Sequence, residues 1–313
     1  MSGAALLRRL LQVPVVLLFI YVTTVLLLMA TPGNPFEAGE RPLPPEVLAA
    51  KRHQFNYDQP ALERYFWTWP IERLLIRRDL RSHWYEDRTV TEILAVSLPV
   101  SLQLGLFALC IAVLGGTTLG VVAAARRDRA VDYLANLVAL LGISLPSFVV
   151  GLVLLITGCL WLRAVPVGGW GRVNQIWLPG LSLALGPLAY ITRLTRSAML
   201  EVLAEPYVQA ARAKGVGRRR LLFGHAFPNA FLPVLSYLGP AAASVLLGSF
   251  VVEKVFAVPG VGTHVVESVR NRDQTLILAT VLTYGALLTL FQLVVDLLYA
   301  LVDPRIQVGR AGR

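Results

Sequence analysis

The sequence predicts an all-α integral membrane protein with six transmembrane helices, and three observations point there. Hydrophobic residues make up 56% of the 313 and charged residues only 15%, with a mean hydropathy of +0.62; a soluble domain carries roughly a quarter charged residues. Apolar runs of about 20 residues, the length that spans a hydrocarbon core, recur from one end of the chain to the other. Lys and Arg concentrate in the short segments on one side of those runs, the bias that orients proteins of the bacterial inner membrane. The formal net charge of +10 follows from that bias. No surface interleaving aromatic and basic residues supports nucleic-acid binding.

The first apolar run, Leu10–Ala30, is longer than the core of a secretory signal and is followed by TPGNPFEAGE, a poor cleavage site. It reads as an uncleaved helix spanning Leu10–Met29. Five further spans are expected at Leu98–Ala125, Val131–Leu162, Trp177–Leu194, Ala230–Val252 and Leu276–Val302. The fourth contains Pro179 and Gly186-Pro187, which a membrane helix tolerates when neighbours satisfy the freed carbonyls, and a kink is expected there. With the N-terminus inside, the internal segments hold fifteen Lys and Arg and the short external loops five. Both termini are therefore expected in the cytoplasm, with the basic loop Glu201–Pro233. Thr31–Glu92 forms an extracytoplasmic insertion with nearly balanced charge, which long loops export regardless of sign. Helices are expected in it at Glu46–His53 and Ala61–Leu75. The cluster Tyr65-Phe66-Trp67-Thr68-Trp69 reads as an interfacial aromatic belt.

Nothing in the chain resembles catalytic machinery. Cys110 and Cys159 have no CxxC spacing and no nearby His, so they are expected to be packing residues inside apolar spans. Lys214-Gly215-Val216-Gly217 neither follows a strand nor has the spacing of a phosphate-cradling loop, so ATP hydrolysis by this chain is not expected. HExxH, GxSxG and paired intramembrane carboxylates are absent from the sequence.

The loop Glu201–Pro233, EVLAEPYVQAARAKGVGRRRLLFGHAFPNAFLP, is the most informative stretch. It reads as a short helix from Glu205 to Ala213, a glycine break at Gly215 and Gly217, a basic second helix from Arg218 to His225, and a Pro stop. Pro206 pre-organises the first turn and Glu205 suits the positive end of the helix dipole. Gly215 is expected at φ > 0 between the two helices. Such an amphipathic helix with a basic tail could rest on lipid headgroups, and Arg218, Arg219 and Arg220 read as lipid-facing anchors.

The loop also resembles the EAA loop of binding-protein-dependent ABC importer permeases. The family pattern of Glu-Ala-Ala, then Gly, then Leu-Pro falls on Gln209, Ala210, Ala211, Gly215 and Phe227-Pro228, with Gln in place of Glu and Phe in place of Leu. ARAKG followed by HA, NA and LPVLSYLGPA matches the oligopeptide/dipeptide form of the motif more closely. A second stretch, Gly248–Gly262 (GSFVVEKVFAVPGVG), resembles the same permeases' VVE-x-V/I-F/Y-x-x-PG-x-G. There Pro259, Gly260 and Gly262 are expected to force a tight turn that brings Glu253, Lys254 and Phe256 near the outer interface, either as a gate or as a structural turn with a local Glu–Lys pair. The C-terminal VDLLYALVDPRI also resembles the family's ending. Arg78-Asp79-Leu80-Arg81 departs from the Gly-Asp-Leu/Phe-Gly usual before the second span.

The resemblance implies a type I ABC importer permease fold. It divides the chain into an N-terminal helix (1–30), the insertion (31–92), the permease domain (93–306) with a coupling loop at about 197–229, and a tail (307–313). It implies that Glu205, Gln209, Ala210, Ala211, Arg212 and Gly215 couple the chain to a separate ATPase. The implied partners are a second homologous permease, two cytoplasmic ATPase subunits holding ATP and Mg, an extracytoplasmic substrate-binding protein and membrane lipid. No cofactor or metal is expected on this chain itself. Oligopeptides or dipeptides are the implied cargo, with nickel, glutathione, an opine or an oligosaccharide as alternatives on the same architecture. A different class, a proton-coupled secondary transporter, would rest on Asp296; its proximity to the end of the last span, with Asp303, favours a structural role instead.

Overall fold

The computed structural model describes residues 3–31, 36, 44–77, 79–85, 87–161 and 168–302. Among them the secondary structure is helical, with one isolated bridge between Arg81 and Thr89. Contacts divide the chain into two units. One comprises Met1–Arg9, Ser101–Val258 and Leu290–Arg313; the other comprises Leu10–Val100 and Pro259–Thr289.

Among the described residues four helices are long and apolar enough to cross a membrane: α1 (Gly3–Ala30), α4 (Val90–Ala125), α11 (Leu232–Val255) and α13 (Gln274–Val302). A fifth span exists if α5 (Ala130–Ser144) and α6 (Ser147–Leu155) are taken together, but they meet at 107°. The single straight span expected over Val131–Leu162 is therefore broken, and its last residue, Leu162, lies outside the described residues. Pro146 explains the break. The residue before a proline is pushed out of the helical region, and Leu145 is extended at φ −95°, ψ 127°.

The fourth expected span is part of α7 (Trp177–Ala204), which falls short of the apolarity a membrane helix needs on its own. Thirteen of its 28 residues are buried within the chain. A helix clothed by protein can carry Ser, Thr, Gly and Arg that lipid would not accept. It packs on α5, α6 and α11 and also receives α4 at very short range. A Cβ on Gly116 would lie 2.8 Å from the Leu188 carbonyl oxygen, and one on Gly120 would lie 2.5 Å from Thr195 Cβ. Gly116 and Gly120 form a GxxxG pair, the spacing that lets helix backbones approach closely. α7 runs unbroken through Pro187, and Pro179 sits in its first turn, where a missing N–H costs little.

In the second unit, Tyr21 and Val25 of α1 pack with Tyr65, Trp69, Leu80, Val90, Ile93, Leu276 and Leu278. The insertion contributes α2 (Pro45–Gln54) and α3 (Ala61–Glu63), the latter running on through wider turns over Arg64–Arg77. Both helices were expected. Of the five residues expected in an aromatic belt, Phe66 and Trp67 are exposed, whereas Tyr65, Thr68 and Trp69 are core. Asp273 N-caps α13, accepting the Leu276 N–H at 3.0 Å. Its carboxylate also accepts the Ser82 hydroxyl and the Trp84 N–H, and lies 3.3 Å from His83 Nδ1. Arg78 lies outside the described residues, and next to it Arg81 pairs with Asp79 at 3.0 Å.

Candidate functional site

The loop after α7 is built by its own local chemistry. Glu205 precedes Pro206 and is forced extended (φ −64°, ψ 142°), which ends α7 at Ala204. Pro206 then starts α8 (Pro206–Ala213). The helix closes in a Schellman motif: Val216 N–H donates to the Ala211 carbonyl and Gly215 N–H to that of Arg212. That motif requires a left-handed residue, and Gly215 supplies it at φ +80°. Gly217, at φ −60°, caps α9 (Arg218–Arg220), which continues through a wider turn over Leu221–Ala226 into α10 (Phe227–Ala230).

Val208 is the anchor of α8, only 1% exposed. Beneath the loop, Ala226 and Ala230 pack on Val121 and Ala124 of α4 and on Ala198 and Met199 of α7. Polar tethers fix the rest. Gln209 Nε2 donates to the Leu203 carbonyl at 2.7 Å, and Asn229 Nδ2 donates to the Tyr207 hydroxyl at 2.6 Å. Arg218 donates to the Ala125 carbonyl at the end of α4, so it serves as a helix C-cap. Glu205, Gln209 and Arg212 recur at i, i+4 and i+7 along one stripe; they are exposed, as is Ala210, while Ala211 is half-buried. A cleft of about 400 Å³ lies against Val208, Gln209 and Arg212, with Ala124, Ala125 and Leu203 among its walls.

The segment after α11 departs from expectation in two ways. Its left-handed residue is Ala257 at φ +49°, not a glycine; Gly260 is extended at φ −94°, ψ 177°. Glu253 and Phe256 are also turned into the chain. Glu253 is fully buried and accepts the Ser101 hydroxyl at 2.7 Å, while Lys254 is exposed. Phe256 is buried, and Gly169 N–H donates to its carbonyl at 3.0 Å. In the other unit, Pro259 is exposed, and Gly260 and Gly262 are buried at the start of α12 (Val261–Arg270).

One constellation was not singled out from the sequence. Arg196 of α7 grips the Asp132 carboxylate of α5 with two hydrogen bonds, Nε to Oδ1 at 2.5 Å and Nη2 to Oδ2 at 2.7 Å. Asp132 also accepts the Asp128 N–H and the Asn136 amide. Asp132 and Arg196 stand far apart in the chain, and each looked like an ordinary charge near a span end. Asp296, the candidate proton carrier, is engaged by Arg9 and by Gln292. Asp303 lies outside the described residues. Cys159 is buried as expected, but Cys110 is exposed on α4; a position on an apolar helix can face outward as readily as inward.

Comparison with known proteins agrees with this architecture. Residues 116–308 match the family described as "Binding-protein-dependent transport system inner membrane component". The chain is 39% identical over 305 residues to the oligopeptide transport system permease protein OppB of Salmonella typhimurium, covering 96% of this chain and 98% of that one. It is 37% identical over 307 residues to the dipeptide transport system permease protein DppB of Bacillus subtilis, covering 98% and 99%. With the DppB of Lactococcus lactis it shares 36% over 292 residues, covering 93% and 95%. A helical chain with several membrane-crossing helices, a projecting α8 and full-length likeness to these permeases belongs to the binding-protein-dependent transport system inner membrane component family.

Proposed function

We propose that this chain is the permease subunit of an ATP-driven ABC importer of oligopeptides or dipeptides, and that α8 is its coupling helix. The observation that carries this reading is α8 itself. It is short, exposed along Glu205, Gln209, Ala210 and Arg212, and fixed to the chain by Val208 beside an open cleft. The names of the full-length relatives support a peptide cargo. In this reading six segments cross the inner membrane, α5 with α6 and α7 each counting as one. Both termini and α8 lie in the cytoplasm, and residues 31–92 lie outside. A second homologous permease, two ATPase subunits and a substrate-binding protein complete the assembly.

The residues of this chain then act mechanically. Movement of an ATPase surface against α8 is passed through Val208 to the α4–α7 junction, where Gly116 and Gly120 hold the two helices in register. The Asp132–Arg196 clamp carries it from α7 to α5. The helices rock between states open to either side, and hydrolysis on the partner resets them. The engaged state of Asp296 supports its structural role over a proton relay.

Ala210→Glu tests the proposal, because it places a charge on the exposed face of α8 without touching the core. Peptide uptake and peptide-stimulated ATP hydrolysis by the reconstituted complex are expected to fall together by tenfold or more, with membrane abundance unchanged. Normal uptake by a fully inserted Ala210→Glu protein would remove α8 from the coupling role.

A further inference from the structure

Two adjoining hollows that α8 does not account for lie where the insertion meets α13, the outer one also reaching the end of α1. The inner one is small, about 20 Å³, room for one or two atoms. Trp69, Arg64 and His83 contribute to its wall. Both Trp69 Nε1 and Arg64 Nε are buried N–H donors without an acceptor. Buried donors are nearly always satisfied, and an orphan costs roughly 1–3 kcal/mol. Two of them at one cavity mark a place that takes an acceptor oxygen, whether a water's or a ligand's.

The outer hollow, about 410 Å³, shares Tyr57, Arg64, Tyr65 and Gln274 with the inner one. Its volume is in the range of small-molecule sites. The Arg64 guanidinium lies 3.9 Å from the Tyr57 ring centroid and 4.9 Å from that of Tyr65. Both tyrosine hydroxyls are committed to Gln274 Oε1. Among the described residues no carboxylate pairs with Arg64. The outer rim carries Arg52 and Asp58, both exposed. A cation held between two rings, orphan donors behind it and one acid at the mouth suit a ligand with a carboxylate at one end and an amine at the other.

We propose that the insertion is a carboxylate-binding subsite for short peptides. The peptide carboxylate meets Arg64 with one oxygen toward Trp69, and its amine meets Asp58. The ligand class rests on the peptide-importer reading, while the anion-accepting chemistry does not. The inner hollow has room for a single carboxylate oxygen, and Asp58 at the mouth offers the amine a partner.

The test is titration calorimetry of the full-length permease in detergent with L-alanyl-L-alanine, its C-terminal amide, and acetate. Saturable dipeptide binding is expected, weakened at least tenfold by amidation and by Arg64→Gln. Asp58→Asn is expected to weaken dipeptide several-fold and leave acetate unchanged. Asp58 is exposed, so this variant keeps the test informative if Arg64→Gln misfolds, which circular dichroism would reveal. Equal affinity for acetate and dipeptide would overturn the peptide assignment. Co-purified phosphatidylglycerol displaced by Arg64→Gln would overturn the carboxylate assignment. No dipeptide binding, in a permease whose complete complex still imports peptides, would overturn the subsite alone; failure of the complex to import any peptide would fall on the importer reading.

Discussion

Gly215 and Gly217 stand two residues apart and carry opposite expectations. A side chain at either would meet open space, so sterics do not separate them. Backbone conformation does: Gly215 is left-handed, while Gly217 is at a φ any residue adopts. Gly215→Val is expected to cost about 1–2 kcal/mol locally, loosening α8 so that uptake falls while abundance holds. Gly217→Ala is expected to transport normally, and equal uptake by the two variants would mean the loop tolerates either backbone. Asp273 makes a prediction about pH. Burial would raise its carboxyl, but hydrogen bonding and charge from His83, with hydrogen bonds from Ser82 and the Leu276 N–H, outweigh that and hold it below the ordinary value. A depressed folded-state value stabilises above the unfolded one, near 3.9, and that stabilisation is lost as pH falls from about 4 through the lower value. Melting of the detergent-solubilised protein is therefore expected to drop between pH 5 and pH 3, and Asp273→Asn to melt lower at pH 5 with a smaller acid drop.

Among the elements, the clamp between α5 and α7 is the most exposed to single changes. Arg196→Gln leaves the Asp132 carboxylate, which is 3% exposed, without its cation. Arg196 is a quarter exposed, so its loss is expected to cost less than the ~3–5 kcal/mol of a fully buried pair, and to show as a lowered melting temperature. Asp132→Asn combined with Arg196→Gln is expected to recover part of that loss; a double variant no better than Arg196→Gln alone would show that the charge pairing is not what matters. This clamp also marks where sequence reading stops. Pro206, Gly215 and Gly217 act on their immediate neighbours, so the break, the helix and its reversal were legible from residue types in order. The helices of the insertion were legible for the same reason. Asp132 with Arg196, and Ser82 with Asp273, are meetings between distant segments. Arg196 counted only as a vote for orientation. Pro146 was as local as Pro206 but lay inside an apolar run, where length outweighed it. The burial of Glu253 was not legible, because a turn motif says where the chain reverses and not which way a side chain faces.

For the whole molecule, topology is the first expectation to check. In a Cys110→Ser, Cys159→Ser background, a cysteine at Ser197 is expected to be shielded from an impermeant thiol reagent in spheroplasts, and one at Val173, 82% exposed, to react. Labelling of position 197 from outside would reverse the orientation. The contact of Arg9 with Asp296 joins the beginning of α1 to the last third of α13. During synthesis Arg9 emerges first, and Asp296 follows roughly 290 residues later, about 15–60 s at ordinary elongation rates. Through that interval Arg9 has no acid to pair with, and Asp296 meets its counter-ion only when its own helix packs against the start of α1. The last helix thus carries a charge that becomes tolerable in the bilayer only once the first is in place. Membrane abundance is therefore expected to fall in an Arg9→Gln protein and to recover when Asp296→Asn is added; no loss in the single variant would show that the acid does without its partner.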